Sequence, residues 1–188
     1  MEEKIIIGIL GVIIGFLLNF VKELFTSRSV RKKEAEYLAI RMICIFEPFL
    51  HKCVSVAYDD GLPDKDGYSH AQTSTPDIDV EIKDVNWKSL PSELMYEILY
   101  FPSLIKNANR YISDVAENNS TPPDFDEVFE ERQYQYALIG IKAAAIIEKL
   151  KSEYDIDRSN TGSGHGYAIE HLIKRKSIID SIRRSRDK

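Results

Sequence analysis

The stretch that decides the fold is Asp124–Tyr154, DFDEVFEERQYQYALIGIKAAAIIEKLKSEY. Within it Phe125, Val128, Phe129, Arg132, Tyr136, Ile139, Ala143, Ile146, Ile147, Leu150 and Tyr154 recur at the period of an α-helix. Asp124, Asp126, Glu127, Glu130 and Glu131 crowd its start, where the helix dipole is positive, and Thr121 or Asp124 can cap it. A helix this long with one apolar stripe needs other helices to cover that stripe. Arg132 is the exception inside the stripe: a guanidinium there must find a carboxylate or several carbonyls. Glu93, Glu97 and Glu36 are the candidate partners for a structural ion pair. The functional alternative is an anion-binding or partner-binding arginine at the end of a bundle.

Partner helices lie on both sides in sequence. From about Ser29 to Tyr58, Ala35, Leu38, Ala39, Met42, Ile45, Phe46, Phe49, Cys53 and Val56 form a second stripe. Pro48 falls on the opposite side, where it can bend the helix. Cys44 and Cys53 point to opposite faces and cannot pair within one helix. Residues 90–117 carry a third stripe, with Pro102 as a candidate break between two helices. Trp87, the only tryptophan, stands just before it, as a core anchor closing the bundle or as an interaction hot spot. Residues 167–184 read as a last helix with Ala168, Leu172, Ile179 and Ile182 on one face and a basic end.

Loops separate these elements. Residues 59–86 read as mostly loop, mobile and exposed over 59–75, with a short alternating run at Ile78, Val80 and Ile82 that lacks an obvious strand partner. Residues 155–166, rich in Gly and Ser, read as a flexible hinge.

The first 28 residues differ in kind. Ile5 to Val21 is apolar except for Asn19, and at ~1.5 Å per residue it spans ~25 Å, the lower end of a bilayer crossing. Arg28, Arg31, Lys32 and Lys33 follow it, whereas Lys4 alone precedes it, so the positive-inside rule places the remainder in the cytoplasm and the N-terminus outside. Gly8, Gly11, Gly15 and Asn19 share one helical face, which suits self-association of the span. The expected organisation is all-α: a transmembrane anchor and basic flank over 1–28, then a cytoplasmic bundle of about four to five helices over 29–188.

Charge is segregated. The chain of 188 residues carries a net −5, but residues 57–132 hold 6 basic and 17 acidic groups, while residues 165–188 hold 7 basic and 3 acidic. The acidic middle repels phosphates, so nucleic acid is not an expected partner. The basic tail (Lys174, Arg175, Lys176, Arg183, Arg184, Arg186) has three readings: contact with an anionic leaflet, pairing with the acidic middle of the same or another copy, or an ordinary charged terminus.

No pattern points to catalysis. Glu47 and His51 lie one turn apart, too few for a metal site, and no Glu-x-x-His occurs. Gly162–Gly166 has glycines but lacks the Lys-Ser/Thr of a phosphate loop, and no Gly-x-Ser-x-Gly is present. No cofactor, metal or catalytic residue is expected.

Two stretches carry a family likeness. Asn86-Trp87-Lys88-Ser89-Leu90 runs into Leu94-Met95-Tyr96-Glu97-Ile98-Leu99 and Pro102; Pro122-Pro123-Asp124-Phe125 is followed by Glu131-Arg132-Gln133-Tyr134-Gln135-Tyr136-Ala137 and Gly140. Together they resemble uncharacterised bacterial single-pass membrane proteins with a short helical cytoplasmic domain. That resemblance implies a bacterial, membrane-tethered helical domain and supplies no catalytic residues.

The leading expectation is a non-enzymatic module at the bacterial inner membrane, self-associating through its span as a homo-oligomer and binding a protein partner. A membrane-perturbing effector of phage-exclusion or toxin type is the alternative, and an enzyme with a site around Arg132 and Tyr134 the lesser one.

Overall fold

In the computed structural model, which describes residues 2–156 and 164–186, the chain is all-helical; the side chains of residues 2–13, 21 and 24 lie outside the description. Four α-helices are described: α1, Glu2–Ala57; α2, Ser92–Asn118; α3, Asp126–Glu153; and α4, Gly164–Arg186. A 3-10 turn, Trp87–Ser89, precedes α2. The expected anchor and second stripe are thus one unbroken helix, and Pro48 sits exposed inside it.

The core is the seam between α1 and α3. It starts at Ala35 and includes Leu38, Met42, Phe46, Leu50, Cys53 and Val56 from α1, against Tyr136, Ile139, Ala143, Ile147 and Leu150 from α3. Phe101 of α2 fills the third side, its ring edge-on to Phe46 and Phe49 at centroid distances of 4.9 and 5.5 Å. Aromatic edges carry partial positive charge, so perpendicular rings attract. Ala168, Leu172 and Ile179 of α4 close the fourth side. Ile43, Leu50 and Ala57 are buried beyond the predicted stripe, because α1 is covered on two flanks rather than one.

Contacts at the helix ends give the directions. Arg132, near the start of α3, meets Asp59 just past the end of α1, so these two helices run antiparallel. Lys149 of α3 meets Glu97 near the start of α2, and Arg183 near the end of α4 meets Glu130 and Glu131. Both α2 and α4 are therefore antiparallel to α3 and parallel to α1.

Several expectations need correcting. Pro102 does not break α2; the helix runs through it, because Phe101 and Ile105 on either side are pinned in the core. Segment 59–75 is mostly exposed and irregular, as expected, but it also carries structure that was not: Leu62–Pro63 and Ser69–His70 pair as a minimal antiparallel ladder, and Asp59 is buried. Residues 76–86 form no strand, but their alternation is real, with Ile78 and Val80 buried and Asp79, Glu81 and Lys83 exposed. This extended strap returns from the far end of α1 to Asn86, whose amide donates to Glu34 Oε2 at 2.9 Å. Helix α4 begins at Gly164 rather than 167, which takes Gly164, His165 and Gly166 out of the hinge; residues 157–163 of that hinge lie outside the described residues. Neither Thr121 nor Asp124 caps α3. The N-cap is Phe125, in the left-handed region at φ 56°, and Glu127 instead accepts from Thr121 Oγ1 at 3.1 Å.

The expected transmembrane span finds no support in the described residues. Among the described residues no helix is long and apolar enough to cross a membrane. Residues 5–13 and 21 of the apolar stretch are among the side chains outside the description. The described side chains within 14–34 make no contribution to the core, and Ile14, Phe16, Leu17, Leu18, Phe20 and Phe25 stand exposed among them.

Candidate functional site

At the far end of the bundle, Arg132 is built into a polar latch. Its Nη1 donates to Asp59 Oδ2 at 3.0 Å, and its Nη2 donates to the Thr73 carbonyl at 2.5 Å. The same Oδ2 accepts from Thr73 N–H and the Thr73 hydroxyl, both at 2.8 Å, and from Gln72 N–H at 2.9 Å; Gly61 N–H donates to Oδ1 at 3.1 Å. Burial alone would raise the Asp59 pKa. Hydrogen bonds from the Thr73 backbone and side chain, from Gly61 and from Arg132 outweigh it and hold the carboxyl at about 2. Buried charges persist only when paired and hydrogen-bonded this fully.

The latch extends to α4. Gln133 Nε2 donates to the Asp59 carbonyl and to Asp60 Oδ1, both at 2.9 Å, while Arg175 Nη2 donates to Asp60 Oδ1 at 2.8 Å and Gln133 Oε1 at 2.6 Å. Both terminal nitrogens of Arg132 thus serve the fold, and Arg132 lines neither the cavity beside Arg31 nor those of the α2–α3 seam. The carboxylate is Asp59, not Glu93, Glu97 or Glu36. Arg132 lies two turns into α3, so its partner on an antiparallel α1 must sit at the C-terminal end of that helix; Glu36 is at the other end. The helix directions carried this signal.

A second polar cluster lies midway along the bundle. The Lys151 ammonium is buried and donates to Glu47 Oε1 at 2.9 Å. His165 Nε2 lies 3.2 Å from Glu148 Oε1, within ion-pair range but without hydrogen-bond geometry. Burial lowers the His165 pKa, and nearby Lys151 lowers it further, against the pull of Glu148 and Glu47. Among the described residues no group of three or more His, Cys, Asp or Glu could hold a metal ion. The Cys53 thiol is pushed up by burial and is plain core.

The basic tail takes one of its three readings. Arg183 donates to Glu130 Oε1 at 3.0 Å and to Glu131 Oε2 at 2.7 Å, with its guanidinium 4.2 Å from the Tyr134 ring centroid. Arg186 pairs with Glu130 Oε2 at 2.9 Å. The tail neutralises the acidic start of α3 in the same copy, at the end of the bundle where α1 terminates, away from the apolar N-terminal section of α1.

At the opposite end, α1 emerges from the bundle. Trp87 is half-buried against the core in the 3-10 turn. Arg31 Nη2 donates to the Lys88 carbonyl of that turn at 3.0 Å. Beside it lies a cavity of about 320 Å³ lined by Arg28, Arg31, Lys32, Ser89, Pro91 and Tyr154, with Ala35 and one carboxylate, Glu153. Lys33 is exposed next to it.

A longer groove follows the α2–α3 seam. Cavities of about 630, 310 and 240 Å³ share Ala145 and Lys149, then Leu104 and Lys142, as they run along it. Tyr96 and Tyr100 stack over its middle, ring planes 8° apart and centroids 5.5 Å apart. No sequence motif announced this groove; its signal is the exposed apolar set Tyr96, Leu99, Tyr100 and Tyr111 on the outer side of α2.

Of the expected self-association face, Gly15 has nothing within 4 Å of where a Cβ would stand, and Asn19 is exposed. Gly8 and Gly11 lie outside the described side chains. Among protein families, curated proteins and solved structures, none matches this chain.

Proposed function

We propose that the chain is a membrane-tethered interaction module. The N-terminal part of α1 holds it at the bacterial inner membrane, copies associate through the Gly8, Gly11, Gly15 and Asn19 face, and the bundle offers the α2–α3 groove to a protein partner on the cytoplasmic side. The observation that carries the reading is the run of exposed apolar side chains on residues 14–25 of a helix that extends past its own core. Each exposed Leu, Ile or Phe forgoes ~1.5–3 kcal/mol of transfer free energy, so lipid or other protein must cover them. The open backbone at Gly15 allows close helix approach, and the Asn19 amide seeks a hydrogen-bond partner in apolar surroundings. The cationic flank Arg28, Arg31, Lys32 and Lys33 favours the cytoplasmic side for the bundle.

Alkaline extraction of membranes tests the tether. The full chain should stay in the membrane pellet, and a chain lacking residues 1–25 should be released. Release of both sinks the proposal. Crosslinking tests the pairing: Gly11→Leu with Gly15→Leu should reduce the oligomer severalfold, and an unchanged crosslinking pattern removes that part of the reading.

A further inference from the structure

We infer that the cavity at the foot of the apolar segment binds the phosphate of an anionic phospholipid headgroup. This rests on the tether reading and adds a specific site to it.

Arg28, Arg31 and Lys32 line one wall at i, i+3 and i+4 spacing, so they share one face of α1. Among the described residues none of the three has an ion-pair partner; Arg31 is held only through its bond to the Lys88 carbonyl, which fixes its guanidinium at the rim. A second wall is Ser89 and Pro91, on the turn just before α2, which Arg31 ties to α1 through the Lys88 carbonyl. Glu153 is the opposing charge in the lining, and three cations against one carboxylate leave an excess of two positive charges. That balance suits a phosphodiester or phosphomonoester and repels a metal cation.

Position selects the lipid over a free ion. Phe25, exposed and apolar, precedes Arg28 by three residues, or ~4.5 Å of helix. The cavity therefore sits where headgroups lie if the apolar segment is in acyl chains. Tyr154 in the lining and Trp87 in the adjoining turn give this end the amphipathic aromatics found at membrane interfaces.

Trp87, as the only tryptophan, supplies the readout. The full chain in nonionic detergent is titrated with phosphatidylglycerol, phosphatidylcholine and inorganic phosphate while Trp87 emission is followed. Phosphatidylglycerol should saturate the change at least tenfold below the concentration of the other two. Replacing Arg28, Arg31 and Lys32 by Gln should weaken phosphatidylglycerol at least tenfold. Replacing Lys65, Lys106 and Lys174 by Gln removes equal charge elsewhere and should change it less than twofold. Glu153→Gln should tighten it two- to threefold, and it keeps the inference testable if the triple variant folds poorly. Equal weakening in both triple variants means diffuse charge attraction and overturns the site. Inorganic phosphate saturating as readily as phosphatidylglycerol assigns the cavity to a free anion and overturns the lipid source. Retention on phosphatidylcholine vesicles separates the two readings: if it persists while the anionic preference is absent, the tether stands and this inference fails; if it is absent, the tether itself fails.

Discussion

Asp59 and Arg132 form a buried pair in which each charge depends on the other. Removing one leaves the other desolvated, so Asp59→Ala and Arg132→Ala should each cost ~3–5 kcal/mol in urea unfolding. The double replacement Asp59→Leu with Arg132→Met should cost clearly less than either single change, because no orphan charge remains. The pair also sets an acid limit. Free carboxylates of this type titrate near 3.8, and the folded Asp59 titrates at about 2. Between these values the unfolded chain binds the proton first. The stabilisation from Asp59 is therefore complete above about pH 4 and is lost as pH falls toward 2, amounting to about 2 kcal/mol. Asp59→Asn should flatten that part of the stability–pH curve. The sequence made Arg132 legible, because a guanidinium inside an apolar stripe is a conflict that folding must resolve. It left Asp59 illegible, because one acid among the many in residues 57–132 has no local mark. Only the antiparallel crossing of α1 and α3 singles it out.

At the scale of elements, packing overrides local punctuation. Pro102 reads as a break and is not one, since Phe101 beside it is locked edge-on against Phe46 and Phe49 of α1. The strap over residues 76–86 keeps a strand's alternation without a strand's hydrogen bonds, because burial of Ile78 and Val80 is what orders it. Gly140 marks a close approach of α4: a Cβ there would stand 2.6 Å from Leu172 Cδ1 and 3.0 Å from Cys53 Cβ. Gly140→Ala should cost ~1–3 kcal/mol, seen as a lower urea midpoint at unchanged slope. The end of α4 is held differently, through Arg183 on Glu130 and Glu131. Arg183→Ala should speed amide exchange in the last two turns of α4, by an amount that shrinks in high salt, and leave exchange in α1 unchanged.

For the whole molecule, periodicity revealed the helices and their stripes, and helical spacing revealed Cys53 as core. The ordering of residues 59–75 stayed hidden, since Gly, Pro and Ser report turn chemistry and say nothing of a buried carboxylate that gathers the turn around it. The tail's binding to the start of α3 was one of three open readings, because only the topology brings residues 183 and 130 together. The core starts at Ala35, and nothing before it is buried among the described side chains. Deleting residues 1–25 should therefore leave the thermal midpoint of the bundle within ~2 °C of the full chain in the same detergent. A large drop would mean that the N-terminal segment supports the bundle directly.

The unbroken course of α1 has a mechanical consequence. Its 56 residues make a rod of ~84 Å. The one proline in it, Pro48, removes a backbone bond where α3, α2 and α4 splint the helix, while the bare section has no such joint. Two such rods crossing at ~20° near one end have their other ends on the order of 30 Å apart. Under the proposed pairing of copies, the crossing angle at the Gly8, Gly11, Gly15 and Asn19 face would be geared up into the spacing between whole bundles.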